Sequence, residues 1–482
     1  MGDLGLDLTT LGQVLVTCAE VVSLLFIPLV LLRRKEPSST FAWILVLLAF
    51  PALGIVLFWY LGRDRVRRPV RTRLAVAASL RQRLGDRLSG SVSVTDVERH
   101  SLIDAQPEEL RGVMRVASKM GRAPLVQGNR VSLLVGAEKT YASLVEAIDA
   151  AQRQVHLEFY AFRKGKTTQV VIDALERAAL RGVKVRLLYD AFGSMGVNSS
   201  LKTLRKHGGQ ARPFFPLDPI RRAATINLRN HRKLVVVDGT LGYCGGINVG
   251  DDFVPWRDVM MRIEGPAVAP LQAIFLEDWF FASREELDSD ASFPPLQPHG
   301  ETVMQIVQSG PDESLETIHR LYFTAIASAR TSVWISTPYF VPDRAVLVAL
   351  QTAALRGVDV RIVLPAHSNF PITKWAGESF FEELLEAGVR IYEYGPEMLH
   401  TKALIVDGRF ATVGSANLDV RSFRLNFELI AVLYDAHWVE ELTRLHREDQ
   451  ARSKELSLAV WSRRGINTRV KEGMGRLLSP ML

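Results

Sequence analysis

The sequence predicts an α/β protein made of two tandem copies of one unit, preceded by a hairpin of two transmembrane helices. Three observations lead to this fold: two long apolar stretches before residue 62, a repeat of strand and helix patterns after about residue 125, and a polar motif present once in each copy. Because 482 residues exceed what one compact core usually holds, several domains are expected. We place the hairpin at 1–62, a basic linker at 63–125, and the two α/β units at 126–295 and 296–482.

The N-terminal apolar stretches, 11–32 and 41–61, each reach the roughly 20 residues that a helix needs to cross a bilayer. A secretory signal peptide is the alternative for the first stretch. Such a peptide begins with basic residues, however, whereas this chain begins with Asp3 and Asp7. Arginines accumulate after the second stretch, and the positive-inside rule assigns that side to the cytoplasm. We expect a multi-pass protein of the cell membrane whose large C-terminal part is cytoplasmic.

The net charge of +7 indicates an anionic partner, either nucleic acid or phospholipid. The arginine run from Arg63 to Arg87 directly follows the apolar stretches, so it favours anionic lipid headgroups over nucleic acid, with a plain solvated linker as the alternative. The chain contains only two cysteines, Cys18 and Cys244, which argues against a disulfide framework.

The internal repeat organises the rest of the chain. "RGVKVRLLYD" at Arg181 returns as "RGVDVRIVLP" at Arg356, and "QVHLEFYAF" at Gln154 has its counterpart in "SVWISTPYF" at Ser332. Helical patterns precede these strand-like segments in both copies. Alternating strands and helices predict a mixed, mostly parallel sheet in each unit, with helices on both faces.

Each copy then contains His-x-Lys, an Asp-Gly turn and a segment that ends in Gly-Gly-x-Asn or Gly-Ser-x-Asn. The residues are His231, Lys233, Asp238, Gly245, Gly246 and Asn248 in the first copy, and His400, Lys402, Asp407, Gly414, Ser415 and Asn417 in the second. Residues i and i+2 of a strand share a face, so each lysine lies beside its histidine. The glycines allow a ligand to approach the backbone closely.

Two histidines, two lysines and two asparagines that converge on one cleft suit phosphodiester chemistry. One imidazole can attack phosphorus, while the other protonates the leaving alkoxide and later deprotonates the incoming alcohol. The lysines would stabilise the charge on the phosphoryl oxygens together with Asn248, Ser415 and Asn417. This chemistry requires no metal and no cofactor, and the chain lacks an HExxH zinc motif.

Each imidazole also needs a partner that fixes its tautomer. Asp258 follows His231, and Glu428 follows His400, at nearly equal spacing. We therefore expect each carboxylate to orient the histidine of its own copy, so that Glu428 pairs with His400. Surface or structural ion pairs are the alternative for both carboxylates.

These motifs resemble the phospholipase D superfamily, whose signature is a duplicated HxKxxxxD motif followed by GSxN. Within it, "EFYAF", "STPYFVPD", "PWRD", "NLDVRSFRLNFE" and the N-terminal hairpin resemble the bacterial cardiolipin synthases. The resemblance implies transfer of a phosphatidyl group from one phosphatidylglycerol to another, which yields cardiolipin and glycerol. It also implies that His231, Lys233, Asp238, His400, Lys402 and Asp407 are active-site residues.

Several alternatives stay open at this point. The two aspartates start tight turns and can be structural. Attack is assigned to His231 and acid–base work to His400, although the near symmetry of the copies permits the reverse. Gly246 stands where the second copy has a serine, which predicts asymmetric support of the phosphoryl group. Three other functions compete with this one: a hydrolase, a transferase that uses phosphatidylethanolamine or another alcohol, and a non-catalytic binder of anionic lipid. The sequence does not determine the oligomeric state.

Overall fold

The computed structural model describes residues 8–32, 37–61, 103–104, 106–120, 123–216, 227–287, 292–312 and 315–481. The arginine run predicted to bind headgroups lies outside these residues. The chain divides into two compact units, one formed by Met1–Arg68 with Asp218–Asn227 and the other by Pro69–Leu217 with Leu228–Leu482.

The N-terminal unit contains the helices Leu8–Leu31, Pro37–Ala49 and Pro51–Leu61. The apolar stretch 41–61, predicted as one helix, is thus divided at Phe50, because Pro51 has no N–H to continue the helical hydrogen bonds. The three helices bury Val30, Leu47 and Phe58 against one another. Among the described residues, no helix combines the length and the hydropathy that a membrane span requires.

The second unit is built on one continuous sheet. Its strands run in the order β18-β13-β12-β10-β14-β15-β17-β9-β1-β8-β7-β6-β2-β3-β4, with β5 paired to β17, while β11 and β16 form a separate pair. In chain order the strands are Val126–Val135 (β1), Gln154–Phe159 (β2), Lys184–Asp190 (β3), Gln210–Phe214 (β4), Arg229–Asn230 (β5), Lys233–Val237 (β6), Leu241–Gly245 (β7), Val259–Glu264 (β8), Thr302–Ser309 (β9), Ser332–Ser336 (β10), Phe340–Val341 (β11), Asp359–Pro365 (β12), Arg390–Tyr394 (β13), Ala403–Val406 (β14), Phe410–Gly414 (β15), Leu418–Asp419 (β16), Asn426–Leu433 (β17) and Ser453–Glu455 (β18).

The two copies form the two halves of this sheet and meet where β1 pairs with β9. Each half contains three neighbouring parallel strands: β2, β3 and β4 at the edge of the first half, and β10, β12 and β13 in the second. In the second half the short strand β18 adds to the edge, antiparallel to β13. The strands between them and the junction pair antiparallel. The sheet is therefore mixed, but the prediction that it is mostly parallel is wrong. The Asp-Gly turns at 238 and 407 form hairpins, and a hairpin pairs its strands antiparallel.

Helices cover both faces of the sheet. They are Glu108–Met120, Ala137–Ala150, Lys166–Leu180, Lys202–Lys206, Val268–Ser283, Thr317–Ser328, Arg344–Leu355, Pro371–Glu378, Phe381–Glu386, Val420–Arg424, Ala436–Ala451, Leu458–Trp461 and Ile466–Leu478. The helix Glu108–Met120 lies within the predicted linker and packs Leu110 and Val113 into the core of the second half, together with Ile318. The helices Val268–Ser283 and Ala436–Ala451 contribute to a core that both halves share.

Candidate active site

The two His-x-Lys segments meet at one cavity of about 600 Å³ between the halves of the sheet. His231 lies just before β6 and His400 just before β14, and both side chains line this cavity. The lysines and the two histidines are almost completely buried. The structure therefore places the two predicted histidines in one site.

Backbone pairing explains how the two copies are joined there. The amide of His231 donates to the carbonyl of Phe427, 2.9 Å away, and the amide of His400 donates to the carbonyl of Arg257 at 2.8 Å. Phe427 and Arg257 immediately precede the two predicted carboxylates. The segment that leads to each histidine thus lies beside the segment that leads to the carboxylate of the other copy.

The carboxylates consequently pair across the copies. Nδ1 of His231 lies 3.0 Å from both carboxylate oxygens of Glu428, and Nδ1 of His400 lies 2.5 Å from Oδ2 of Asp258. The prediction that Asp258 serves His231 and Glu428 serves His400 is wrong. Chain spacing correctly indicated two carboxylates at equivalent positions, but spacing carries no information about which copy's strand is adjacent.

Burial governs the protonation of both histidines. It lowers the pKa of His231 to about 4 and that of His400 to about 3, so both imidazoles are neutral at pH 7. Although burial opposes ionisation of Glu428, the adjacent His231 and Lys233 hold the pKa of this carboxyl below its ordinary value. A carboxylate only accepts hydrogen bonds, so each Nδ1 carries the proton and each Nε2 keeps its lone pair.

Glu428 is fixed by further donors. The hydroxyl of Ser415 donates to Oε2 at 2.5 Å, and the side-chain amide of Asn426 donates to Oε1 at 3.1 Å. Ser415, predicted to bind the substrate phosphate, is fully buried and directs its proton to Glu428 instead. Ser415 therefore holds the carboxylate of Glu428 in place.

Gly246 occupies the equivalent position in the first copy for a steric reason. A Cβ atom there would lie 2.2 Å from Oδ1 of Asp258, far inside van der Waals contact. The expected asymmetry between Gly246 and Ser415 is therefore present, but it concerns the space around Asp258 and not a missing phosphate donor.

The lysines contact the histidines of their own copies. Nζ of Lys233 donates to the carbonyl of His231 at 2.6 Å, whereas Nζ of Lys402 lies 2.8 Å from Nδ1 of His400 and also donates to the carbonyl of that residue. Burial lowers the pKa of both ammonium groups, to about 8 for Lys402, where the charge of Asp258 opposes the shift. Lys402 thus keeps its charge at neutral pH.

Both predicted asparagines line the cavity. Oδ1 of Asn248 accepts a hydrogen bond from the amide of Ala161 at 3.1 Å, so the NH₂ group is its remaining donor. The NH₂ group of Asn417 instead donates to Asp419, 3.1 Å away. Asn248 is therefore the better placed of the two to donate to a phosphoryl oxygen.

Asp238 and Asp407 lie away from the histidines, at the far ends of β6 and β14. Asp238 follows the five-residue strand that begins at Lys233, which places the two residues about 16 Å apart along the chain. Both aspartates have φ of 53°. Asp238 accepts backbone N–H groups at 152–154 at 2.8–2.9 Å, and Asp407 accepts those at 330–332 at 2.7–3.0 Å. The structure does not bring these predicted catalytic residues to the site, and it supports the structural alternative.

Several residues that line the site were not predicted from the sequence, and four of them bear on its chemistry. The ring of Tyr160 lies 4.9 Å from that of His231, and the ring of Trp256 lies 4.8 Å from that of His400. Arg229 and Arg421, one from each copy, add positive charge to the cavity wall. A signal existed for Arg229, which stands two residues before His231 in an extended segment and therefore faces the same side.

The fold and this site define a protein of the phospholipase D type, with two His-x-Lys copies around one cavity. The chain belongs to the family described as "cardiolipin synthase, PLD-like domain", whose sequence model matches residues 144–279 and 322–449. A second family, "phospholipase D-nuclease N-terminal", matches residues 21–63.

Named relatives and a solved structure agree with this membership. The chain is 37% identical to a cardiolipin synthase of Geobacillus kaustophilus, with 98% of this chain and 94% of the relative covered. It is 36% identical to cardiolipin synthase 1 of Bacillus anthracis, with 94% and 91% covered. The crystal structure of a phosphatidylserine synthase from Haemophilus influenzae shares the fold, with a TM-score of 0.61 at 14% identity over 77% of this chain and 100% of that one.

Proposed function

We propose that this protein transfers a phosphatidyl group between two phosphatidylglycerol molecules, which yields cardiolipin and glycerol. Family membership supports this reaction. The observation that carries it is the pair of neutral imidazoles in one cavity, each with its Nδ1 held by a carboxylate. Such a pair supplies a nucleophile and an acid–base group without a cofactor.

In the first step Nε2 of His231 attacks phosphorus of the first phosphatidylglycerol. A P–N bond forms, the P–O bond to the headgroup breaks, and His400 gives a proton to the departing glycerol. In the second step His400 takes a proton from the primary hydroxyl of the second phosphatidylglycerol, whose oxygen attacks phosphorus and releases His231. The bound phosphodiester is an anion, and its charge favours the protonated form of His400 that the first step needs.

We assign attack to His231 because its ring is held more firmly. Both oxygens of Glu428 face Nδ1, and Ser415 and Asn426 fix that carboxylate. A nucleophile gains most from fixed geometry. His400 lies beside both Asp258 and Lys402, and the charges of these two groups interact with a proton on its ring.

We further propose that the N-terminal unit anchors the protein in the cell membrane, with the catalytic part in the cytoplasm. Large apolar side chains on all three helices are exposed, among them Leu25, Phe41 and Leu53. Surfaces of this kind are favoured in lipid and disfavoured in water. This proposal keeps the domain boundaries predicted from the sequence, 1–62, 63–125, 126–295 and 296–482. It also includes the prediction that the partner is a lipid and not a nucleic acid.

The test is turnover by the full chain in detergent with phosphatidylglycerol as the only lipid. We expect release of glycerol together with cardiolipin, and loss of both products in His231→Ala and His400→Ala. His437→Ala, which removes an exposed histidine, is the matched control and retains activity. Phosphatidic acid in place of cardiolipin would identify a hydrolase, and a new product only when phosphatidylethanolamine is added would identify a different acceptor.

A second measurement addresses the intermediate. Quenching with denaturing detergent at alkaline pH, after reaction with phosphorus-labelled substrate, should leave label on the wild-type chain that acid then releases, and peptide mapping at alkaline pH should locate it at His231. Label that persists in His231→Ala and maps to His400 would reverse the two roles.

A further inference from the structure

The C-terminal helix Ile466–Leu478 presents an apolar face to solvent. Ile466, Val470, Met474 and Leu477 are 72%, 54%, 62% and 82% exposed. Their spacing of three or four residues places them in one row along the helix. Four large apolar side chains in an exposed row are unusual for a surface that contacts only water.

The opposite face of this helix attaches it to the protein. Glu472 and Gly475 are its buried residues. A Cβ atom on Gly475 would lie 2.5 Å from the backbone nitrogen of Ala376, so the helix packs closely on the helix Pro371–Glu378. Because Glu472 and Gly475 project opposite to Val470 and Leu477, the apolar row points away from the protein.

Basic residues border the row. Arg469 lies on one side of it and Lys471 on the other, and both are exposed. Arg476, on the same side as Arg469, is also exposed but forms an ion pair with Glu383 at 2.9 Å. Nζ of Lys471 lies 5.6 Å from the ring centre of Trp375. An apolar row with basic margins and a neighbouring tryptophan is the pattern of a helix that lies in the interface of an anionic bilayer. Two copies of this chain packed row to row would bring these like charges together, which disfavours self-association.

The C-terminal helix packs on an element that reaches the mouth of the active-site cavity. The helix Pro371–Glu378, on which the C-terminal helix packs, begins beside Phe370 and carries Ile372. Both of these side chains line the cavity and are also exposed. A bilayer in contact with the row would therefore lie close to the opening through which a lipid headgroup enters.

We propose that the helix Ile466–Leu478 is an interfacial membrane-binding element that seats the cavity mouth on an anionic bilayer. The row of Ile466, Val470, Met474 and Leu477 enters the acyl boundary, and the basic margins contact headgroup phosphates. This inference rests on the proposed function for the identity of the substrate, but the contact itself does not require turnover.

A lipid-depth measurement on the full chain tests the contact. An environment-sensitive fluorophore is attached at Val470→Cys in a Cys18→Ser background, where the remaining Cys244 is buried. Thr468→Cys, on the other side of the same helix, is the matched control. In vesicles of equal parts phosphatidic acid and phosphatidylcholine, which contain no phosphatidylglycerol, spin-labelled lipid should quench the probe at 470 roughly twofold and leave 468 unchanged. Equal quenching at both sites, or at neither, would overturn the proposal.

A functional variant gives the second measurement. Val470→Ser with Met474→Ser should lower turnover of phosphatidylglycerol in vesicles roughly tenfold and leave turnover in dilute detergent micelles unchanged. Loss in both systems would point to the fold, and a change from dimer to monomer in the variant would assign the row to a second copy; either result overturns the proposal. If the wild-type chain makes no cardiolipin in either system, the proposed function fails, and the quenching result still decides whether the helix contacts lipid.

Discussion

His231 and His400 occupy equivalent positions in the two copies, yet different groups hold their rings. His231 faces both oxygens of a glutamate that Ser415 and Asn426 support. His400 faces one oxygen of an aspartate, with the nitrogen of Lys402 beside the same ring atom. The difference indicates that the duplicated site has separated into a fixed imidazole and one coupled to a second titrating group.

The same difference explains the glycine of the first copy. Asp258 is one methylene shorter than Glu428 and has no serine to accept from, because the space that a serine would need is already filled by its own carboxylate. Each copy thus has its own combination: glutamate with serine, or aspartate with glycine. Exchanging one member without the other should disturb the site.

Removal of the crossed carboxylates should have the largest effect. Glu428→Gln and Asp258→Asn keep the shape but favour the wrong tautomer, and we expect turnover to fall by roughly 10³-fold or more. Glu440→Gln, on the surface, is the control. Carbethoxylation followed by peptide mass spectrometry separates the two sites: Glu428→Gln should change the reactivity of His231 alone, and Asp258→Asn that of His400 alone. If Glu428→Gln changed the reactivity of His400 and Asp258→Asn that of His231, each carboxylate would pair with the histidine of its own copy.

The glycine and serine positions should give the next largest effects. Gly246→Ser pushes Asp258 away from His400, and a displacement of about 1 Å in an active site can cost roughly 100-fold in turnover. Ser415→Ala removes one hydrogen bond to a charged group, which is worth about tenfold. Gly395→Ser, where nothing lies within 4 Å of the added Cβ, is the matched control. Equal losses in Gly246→Ser and Gly395→Ser would show that Asp258 moves without consequence.

The sequence predicted the parts of this site that depend on local geometry. The positions of His231 and Lys233 on one strand face follow from the period of two, and the turns at Asp238 and Asp407 follow from Asp-Gly. The crossing of Glu428 to His231 could not be predicted, because it depends on β5 lying beside β17, far away in the chain. The prediction of mostly parallel pairing failed for a related reason: periodicity identifies strands but does not give their direction or their neighbours.

Lys402 should set the alkaline limit of activity. Its pKa of about 8 means that the charge beside His400 is mostly present below pH 8 and mostly lost above it, so kcat/KM should fall roughly fivefold between pH 8 and pH 9. Lys402→Arg keeps the charge at any accessible pH and should remove this limit, even if overall turnover is lower. Lys454→Arg on the surface should leave the profile unchanged. An unmoved alkaline limit in an active Lys402→Arg variant would assign the titration to another group.

The two aspartates should affect stability and leave chemistry almost unchanged. Asp407 accepts three backbone N–H groups and the hydroxyl of Thr331, whereas Asp238 accepts three backbone N–H groups alone. Alanine loses these bonds and must also adopt a φ of 53°, so Asp407→Ala should lower the free energy of unfolding by about 2–4 kcal/mol, and Asp238→Ala by slightly less.

Asp407→Asn, which tolerates positive φ and keeps one acceptor oxygen, should fall between wild type and alanine. Although burial opposes ionisation of Asp407, the N–H groups at 330–332 lower the pKa of this carboxyl, so its contribution is present above the ordinary carboxyl pKa and is lost as pH falls through the lowered value. Thermal unfolding at pH 7 and at pH 3 measures both effects, and turnover per folded molecule should stay within about threefold of wild type. A variant at Asp407 that unfolds like wild type but loses turnover 100-fold would mean that this carboxylate acts on the distant histidine after all.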